Sequence, residues 1–111
     1  WHCCLELFSV ATRLPEAYRL TTRDAHRLLE EEILARFAVH DLPAERRAPL
    51  FADAATDGIA GGRIYDAEIG AVAAAAGASL LVTGNRRHFV SLLRRGLRVL
   101  TAEELLAELA R

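Results

Sequence analysis

Residues 61–85, which read GGRIYDAEIGAVAAAAGASLLVTGN, constrain the fold of this chain more than any other segment. Most of them are Gly, Ala, Ile, Leu or Val. The pattern predicts a helix over Arg63–Ala76, ended by Gly77, and then a buried strand with the sequence SLLVT. Asp66 places a carboxylate in the first turn of this otherwise apolar helix. The presence of a charged group in a helix that is expected to be buried requires a physical explanation.

The rest of the chain alternates between helical and strand patterns. Two further strands are predicted, FAVHDL at 37–42 and LRVLT at 97–101. The alternation is typical of an α/β protein in which a parallel sheet lies between two layers of helices. The further predicted helices are a mostly buried one at 1–14, one at 21–37 capped by Thr21 or Thr22, one at 43–58 that Pro49 kinks or splits, one at 85–96 capped by Asn85, and one at 102–111.

Composition narrows the class of protein. The chain has 111 residues, of which 52% are hydrophobic and 26% charged, as expected for one globular domain over 1–111. Its net charge of -1 provides no overall attraction to nucleic acid, so any such contact must be local. Cys3 and Cys4 are adjacent and form no disulfide framework, which fits a reducing cytoplasm. No apolar run is long enough to span a bilayer, so we expect no membrane partner.

Two acidic residues lie in apolar surroundings. Asp66 has a structural explanation, because an acid in the first turn favours the helix dipole. Glu6 has one too, because His2 lies one turn earlier and can pair with it. A metal ion is the functional alternative for both carboxylates, since burying an unpaired carboxylate is costly. Glu68 points to a different face from Asp66 and is interpreted as a solvated or salt-bridged residue.

The segment VTGNRRHF follows the carboxyl end of a predicted parallel strand, where open α/β sheets bind ligands. Thr83 and Asn85 lie at this strand end, and Asn85 is also a candidate helix cap. Arg86 and Arg87 come at a helix N-terminus, where phosphate is favoured. His88 is either a general base or, next to a phenylalanine, a surface histidine.

Together these side chains suit one kind of chemistry. Hard oxygen ligands hold Mg²⁺ or Mn²⁺, and such ions support the hydrolysis of phosphodiester bonds. A metal-independent hydrolase that uses Ser9 or a cysteine is the competing enzyme class. Loss of activity in the presence of a chelator would separate the two.

Three pieces of the chain, LELFSVATRLP, the 61–89 segment ending in TGNRRHF, and LRVLT, resemble the PIN-domain ribonucleases. The likeness is greatest to VapC-like toxins of type II toxin–antitoxin pairs and extends from Trp1 to about Thr101. It implies a parallel sheet flanked by helices and acids that bind Mg²⁺ or Mn²⁺. It also implies endonucleolytic cleavage of RNA, neutralisation by a cognate antitoxin protein, and commonly a homodimer.

The resemblance carries over residue by residue. Glu6 and Asp66 match acidic residues that bind the metal, and Thr83 matches a hydroxyl residue at the strand end. Asn85 falls where many members have aspartate and others asparagine. These four residues are the predicted catalytic residues, and Arg86 and Arg87 the predicted substrate-binding ones.

The family opens with a strand that ends in a further metal-binding aspartate, and this chain begins at the following segment. We therefore expect an N-terminally truncated PIN-like domain that lacks its first strand and the helix after it. The isolated chain is then expected to be poorly folded and close to inactive as a nuclease, because its central strand is missing. The alternative function is a catalytically incomplete PIN-like module that binds RNA or protein.

Overall fold

The computed structural model describes residues 1–111 apart from the side chain of residue 94. The chain divides into two units, Trp1–Asp41 and Leu42–Arg111, which are described separately. Helices dominate both units, and strands occur only in the second among the described residues. No helix among the described residues of either unit has the length and apolar character needed to cross a membrane.

The first unit contains two helical segments, as the sequence predicts. Helix α1 covers His2–Ala11, and helix α2 covers Thr22–Leu28 and continues as a π-helical segment over Leu29–Leu34. Thr21, rather than Thr22, is the cap of α2, because its hydroxyl oxygen accepts a hydrogen bond from the backbone N–H of Asp24 at 3.1 Å. This bond satisfies one of the amide groups that a helix leaves unpaired in its first turn.

Two expectations for the first unit are wrong. Helix α1 is not mostly buried, because Ala11 is its one buried residue and the side chain of Leu5 is 53% exposed. The segment 37–42 is not a strand. A strand needs a neighbour with which to exchange hydrogen bonds, and the sheet of the described residues pairs only Leu80–Val82 with Arg98–Leu100.

The second unit begins with helices that match the predicted pattern. A short 3₁₀ turn, Ala44–Arg46, leads into α3, Arg47–Asp57, and α4 follows over Arg63–Ala75. Pro49 does not interrupt α3, because it lies in the first turn, where backbone N–H groups have no helical partners to lose. Gly58 ends α3 in the left-handed region, with φ at +67°.

The sheet is small and parallel. Strand β1, Leu80–Val82, pairs with β2, Arg98–Leu100, and Leu81 lies opposite Val99. Between the two strands the chain forms a 3₁₀ helix over Arg86–Arg95, and after them comes α5, Ala102–Leu109. The prediction of mixed helices and parallel strands is confirmed. The prediction that β1 is covered on both faces is wrong, because Val82 is 45% exposed.

The core of the second unit forms where α4 packs against the 3₁₀ helix. Its buried members are Phe89, Leu92, Leu97 and Val99, with three partly buried residues around them. Gly70 permits this packing, since a Cβ atom there would lie 3.2 Å from Leu92 Cδ2. The small-residue face of α4 therefore brings the first turn of this helix close to the start of the 3₁₀ helix.

Helix α5 is attached to the sheet by polar contacts. Thr101 and Glu104 form a reciprocal capping box at its start. Glu104 also pairs with Arg86 at 2.6 Å, and Glu108 one turn later pairs with Arg98. Both ion pairs are partly exposed to solvent, so each contributes little alone to the free energy of folding.

We expect Leu92→Ala to lower the free energy of unfolding by about 2–5 kcal/mol, because Leu92 is buried and its truncation leaves a cavity beside α4. Leu93→Ala is the matched control on the same 3₁₀ helix, since that side chain is 55% exposed. Urea unfolding of both variants measures the difference. Equal losses for the two leucines would contradict the described core.

Thr21→Ala is expected to cost about 0.5–2 kcal/mol of stability, because it removes the hydroxyl that accepts from Asp24. Thr22→Ala, one residue later, should stay within about 0.5 kcal/mol of the unchanged protein. Thermal unfolding followed by circular dichroism compares the two. If Thr22→Ala is the more damaging change, the assignment of the cap is wrong.

Candidate functional site

The two predicted metal-binding acids lie in different units of the chain. Glu6 is on α1 in the first unit, and its Oε1 lies 2.7 Å from Nε2 of His2, one turn earlier. The Glu6 side chain is 59% exposed. The pairing with His2 that the sequence suggested as the structural alternative is therefore present.

Asp66 lies in the first turn of α4 in the second unit, and its Oδ2 is 2.7 Å from Nδ1 of His88. The Asp66 side chain is 29% exposed, and the His88 side chain 42%. This contact lies beside the core, because Asp66 comes one helical turn before Gly70, which packs against Leu92 of the 3₁₀ helix that carries His88. Close approach at the glycine brings the carboxylate and the imidazole together.

His88 is the residue whose importance the sequence left open. The sequence is compatible with a surface histidine or a general base, and the structure pairs His88 with Asp66, a residue 22 positions away. The sequence contains only indirect evidence that Asp66 and His88 form a pair. The small residues of α4 predict a close neighbour on that face, but they do not say which residue it is.

A cleft of about 100 Å³ surrounds this pair within the second unit. Its lining includes the side chains of Arg46, Arg63 and Arg95, together with Asp53 and Asp57. Arg95 is 3.5 Å from Asp53 and is thereby partly neutralised. Arg46 and Arg63 have no ion pair among the described residues, so their guanidinium groups are open to an anion such as phosphate.

The strand-end residues Thr83 and Asn85 form a turn at the end of β1. The hydroxyl of Thr83 accepts from the backbone N–H of Asn85 at 3.1 Å, and the Thr83 N–H donates to the carbonyl of Leu100. Asn85 occupies the cap position of the 3₁₀ helix, but its side chain makes no capping hydrogen bond. The predicted position of Asn85 is therefore confirmed, and its predicted capping bond is wrong.

The two predicted substrate-binding arginines differ in their surroundings. Arg86 is paired with Glu104 and so contributes to the attachment of α5. Arg87 is exposed, and the described part of the chain gives it no ion-pair partner. Of the two, Arg87 is the one whose charge is available to a phosphate group.

The arrangement of donors does not by itself suit a divalent metal ion. Among the described residues there is no group of three His, Cys, Asp or Glu side chains that could hold a metal. Mg²⁺ requires several oxygen ligands in near-octahedral geometry. The cleft is lined by the carboxylates of Asp53, Asp57 and Asp66, of which Asp53 is paired with Arg95 and Asp66 is bonded to His88. The metal-binding roles of Glu6 and Asp66 stay predictions.

Comparisons of the chain with protein-family models, with curated proteins and with solved structures found no match. The likeness to PIN-domain ribonucleases therefore rests on the three sequence pieces that carry it. The roles that this likeness implies for the site residues remain predictions, and the geometry of the cleft is the independent basis on which a function can be argued.

Close to Glu6, the thiol of Cys3 has a perturbed acidity. Cys3 is an exposed residue, and partial desolvation of its thiol, followed by the negative charge of Glu6, raises its pKa above the ordinary value of 9.0. A raised pKa means that folding favours the protonated thiol. The resulting stabilisation is present below pH 9.0 and is lost as the pH rises through the higher pKa of the folded state.

We expect Cys3 to react with iodoacetamide more slowly in the folded chain than in urea, because the thiolate is the reactive form. Glu6→Gln removes a neighbouring negative charge, which lowers the pKa of Cys3 and speeds the reaction. Mass spectrometry of a Cys4→Ser background measures the Cys3 rate alone. An unchanged or slower rate in Glu6→Gln would contradict the electrostatic contribution of Glu6.

Proposed function

We propose that this protein is a metal-dependent endoribonuclease, the toxin of a toxin–antitoxin pair, which hydrolyses RNA phosphodiester bonds. The observation that carries the proposal is the pair formed by Asp66 and His88 in a cleft that also contains unpaired arginines. A carboxylate, an imidazole and guanidinium groups around one small space are the groups that phosphodiester chemistry uses.

Three arginines and three aspartates line the cleft, so the proposed attraction is to one phosphate group at Arg46 and Arg63 and not to a long stretch of backbone. Arg46 and Arg63 can pair with phosphate oxygens in a bidentate manner, while Arg95 is held by Asp53. The net charge of -1 agrees with recognition that is local and not driven by the whole surface. Arg87, at the start of the 3₁₀ helix, supplies a further cation for the RNA backbone.

The cofactor of the proposal is Mg²⁺ or Mn²⁺, which the resemblance implies. Such an ion supplies activated water and neutralises charge on phosphate. Glu6, Asp66, Thr83 and Asn85 remain the proposed catalytic residues, with Glu6 and Asp66 as the proposed ligands. Because the described cleft holds no complete ligand group, no step of cleavage is assigned through the ion.

The finer description of the fold belongs to the same proposal. We infer a single PIN-like domain with a three-layer α/β/α arrangement, of which the parallel pairing of β1 with β2 is the supporting feature.

Protein partners and location also form part of the proposal. The side chains of Trp1 and Leu5 are 51% and 53% exposed and border an apolar groove of about 240 Å³ in the first unit. An apolar surface of this kind supports a contact with another protein. We propose a cognate antitoxin and a homodimer as partners, and the cytoplasm as the location.

A catalytically incomplete module that binds RNA or protein is the second candidate. It is favoured by the fact that both proposed metal ligands are already bonded to histidines, Glu6 to His2 and Asp66 to His88. In such a module the unpaired arginines of the cleft would bind phosphate without cleaving the chain.

The first test is cleavage of a fluorescently labelled single-stranded RNA by the purified intact protein in Mg²⁺ or Mn²⁺. Asp66→Asn is expected to reduce cleavage by about 100-fold or more, because it removes the charge of the central carboxylate. Glu68→Gln, two residues away on the same helix, is the matched control and should leave cleavage unchanged. Gel electrophoresis measures the products, and circular dichroism compares the folding of the variants.

Two results would redirect the proposal. If Asp66→Asn cleaves as well as the unchanged protein, Asp66 has no role in catalysis. If no variant cleaves but fluorescence anisotropy shows that the protein binds the same RNA, the binding module replaces the enzyme.

A further inference from the structure

We infer that Asp66 and His88 act as a catalytic dyad that cleaves RNA without a metal ion, with the ribose 2′-hydroxyl as the nucleophile. The inference rests on the proposed cleavage of RNA and replaces its metal-dependent step, so that here Asp66 holds the imidazole of His88 and is not a metal ligand. It starts from the mismatch between the complete hydrogen-bonded pair in the cleft and the incomplete group of metal ligands among the described residues.

The geometry of the pair fixes the roles of the two ring nitrogens. An ionised carboxylate only accepts hydrogen bonds, so Nδ1 of His88 donates to Oδ2 of Asp66 across 2.7 Å. In the neutral imidazole, Nε2 then carries a lone pair and can accept a proton. The side chain is 42% exposed, which leaves room for a ribose to approach it.

Two other histidines are close to carboxylates, and their positions are different. His2 with Glu6, and His26 with Glu30, are pairs four residues apart on one helical segment. Such pairs are common on helix surfaces. The Asp66–His88 pair instead joins two separate elements and lines a cleft that also contains arginines.

The proposed step moves one proton and exchanges one P–O bond. Nε2 of His88 takes the proton of the 2′-hydroxyl, and the 2′ oxygen attacks the adjacent phosphorus. The bond between phosphorus and the 5′ oxygen breaks, and the proton returns from His88 to that leaving oxygen through water. The products are a 2′,3′-cyclic phosphate and a 5′-hydroxyl end, with no change in oxidation state.

Asp66 and the arginines have supporting roles in this step. Asp66 holds the imidazole in one tautomer and stabilises the imidazolium that forms when the proton is accepted. Arg46 and Arg63 lie in the same cleft, where they can neutralise the extra negative charge that develops on the phosphate oxygens. No bound metal is required for either role.

The experiment uses the intact protein and a labelled single-stranded RNA, in EDTA and separately in Mg²⁺. A second RNA of the same sequence carries 2′-deoxyribose throughout. We expect cleavage of the RNA in EDTA, 2′,3′-cyclic phosphate ends by mass spectrometry, and no cleavage of the deoxy version. Metal-dependent hydrolysis by water does not require the 2′-hydroxyl, so the two routes give different products.

Variants test the role of His88 itself. His88→Ala is expected to lose about 100- to 10,000-fold in rate, as is typical when a general base is removed. Added imidazole should restore part of that loss, because it can take the place of the missing ring, whereas a purely structural defect would not respond. His26→Ala removes an exposed histidine from the first unit and should cleave at the unchanged rate.

Each outcome has a definite consequence. Cyclic phosphate ends in EDTA, together with rescue by imidazole, support the dyad. Cleavage that needs Mg²⁺, leaves 5′-phosphate ends or also cuts the deoxy strand overturns the dyad and leaves the endoribonuclease in place. If neither condition gives cleavage, the proposed function and the dyad both fail.

Discussion

The contact between Gly70 and Leu92 is the constraint on which the second unit depends. A Cβ atom at position 70 would lie only 3.2 Å from Leu92 Cδ2, which is closer than ordinary van der Waals contact. The absence of that atom therefore determines how closely α4 and the 3₁₀ helix can pack. The apolar cluster forms at this contact, and Asp66 and His88 meet four residues earlier on each element. The same packing that stabilises the unit therefore also builds its polar site.

Local sequence signals predicted most helices of this chain because those signals act over a few residues. A capping threonine, a glycine after a helix and a small-residue face each report on their own neighbourhood. The failed strand at 37–42 and the exposed face of α1 show the limit of such signals. Whether an apolar segment is paired or buried depends on distant parts of the chain, and the pattern of residues alone does not contain that information.

The candidate site shows the same limit at the level of side chains. Asp66 stood out in the sequence because a carboxylate was unexpected in apolar surroundings. His88 did not stand out, because its role depends on a partner 22 residues away that only tertiary packing brings near. Arg86 is predicted from the sequence to bind substrate, but in the fold it forms an ion pair with Glu104. Residue type indicates what a side chain can do, and packing decides which side chains act together.

The way in which α5 is held has a consequence for the motions of the protein. Its capping box and its two ion pairs through Glu104 and Glu108 are polar and partly open to water, while Leu106 and Leu109 face solvent. Contacts of this kind weaken as salt screens them, whereas the apolar cluster under α4 does not. Within the second unit, α5 is therefore expected to open at a lower free energy than the apolar cluster under α4.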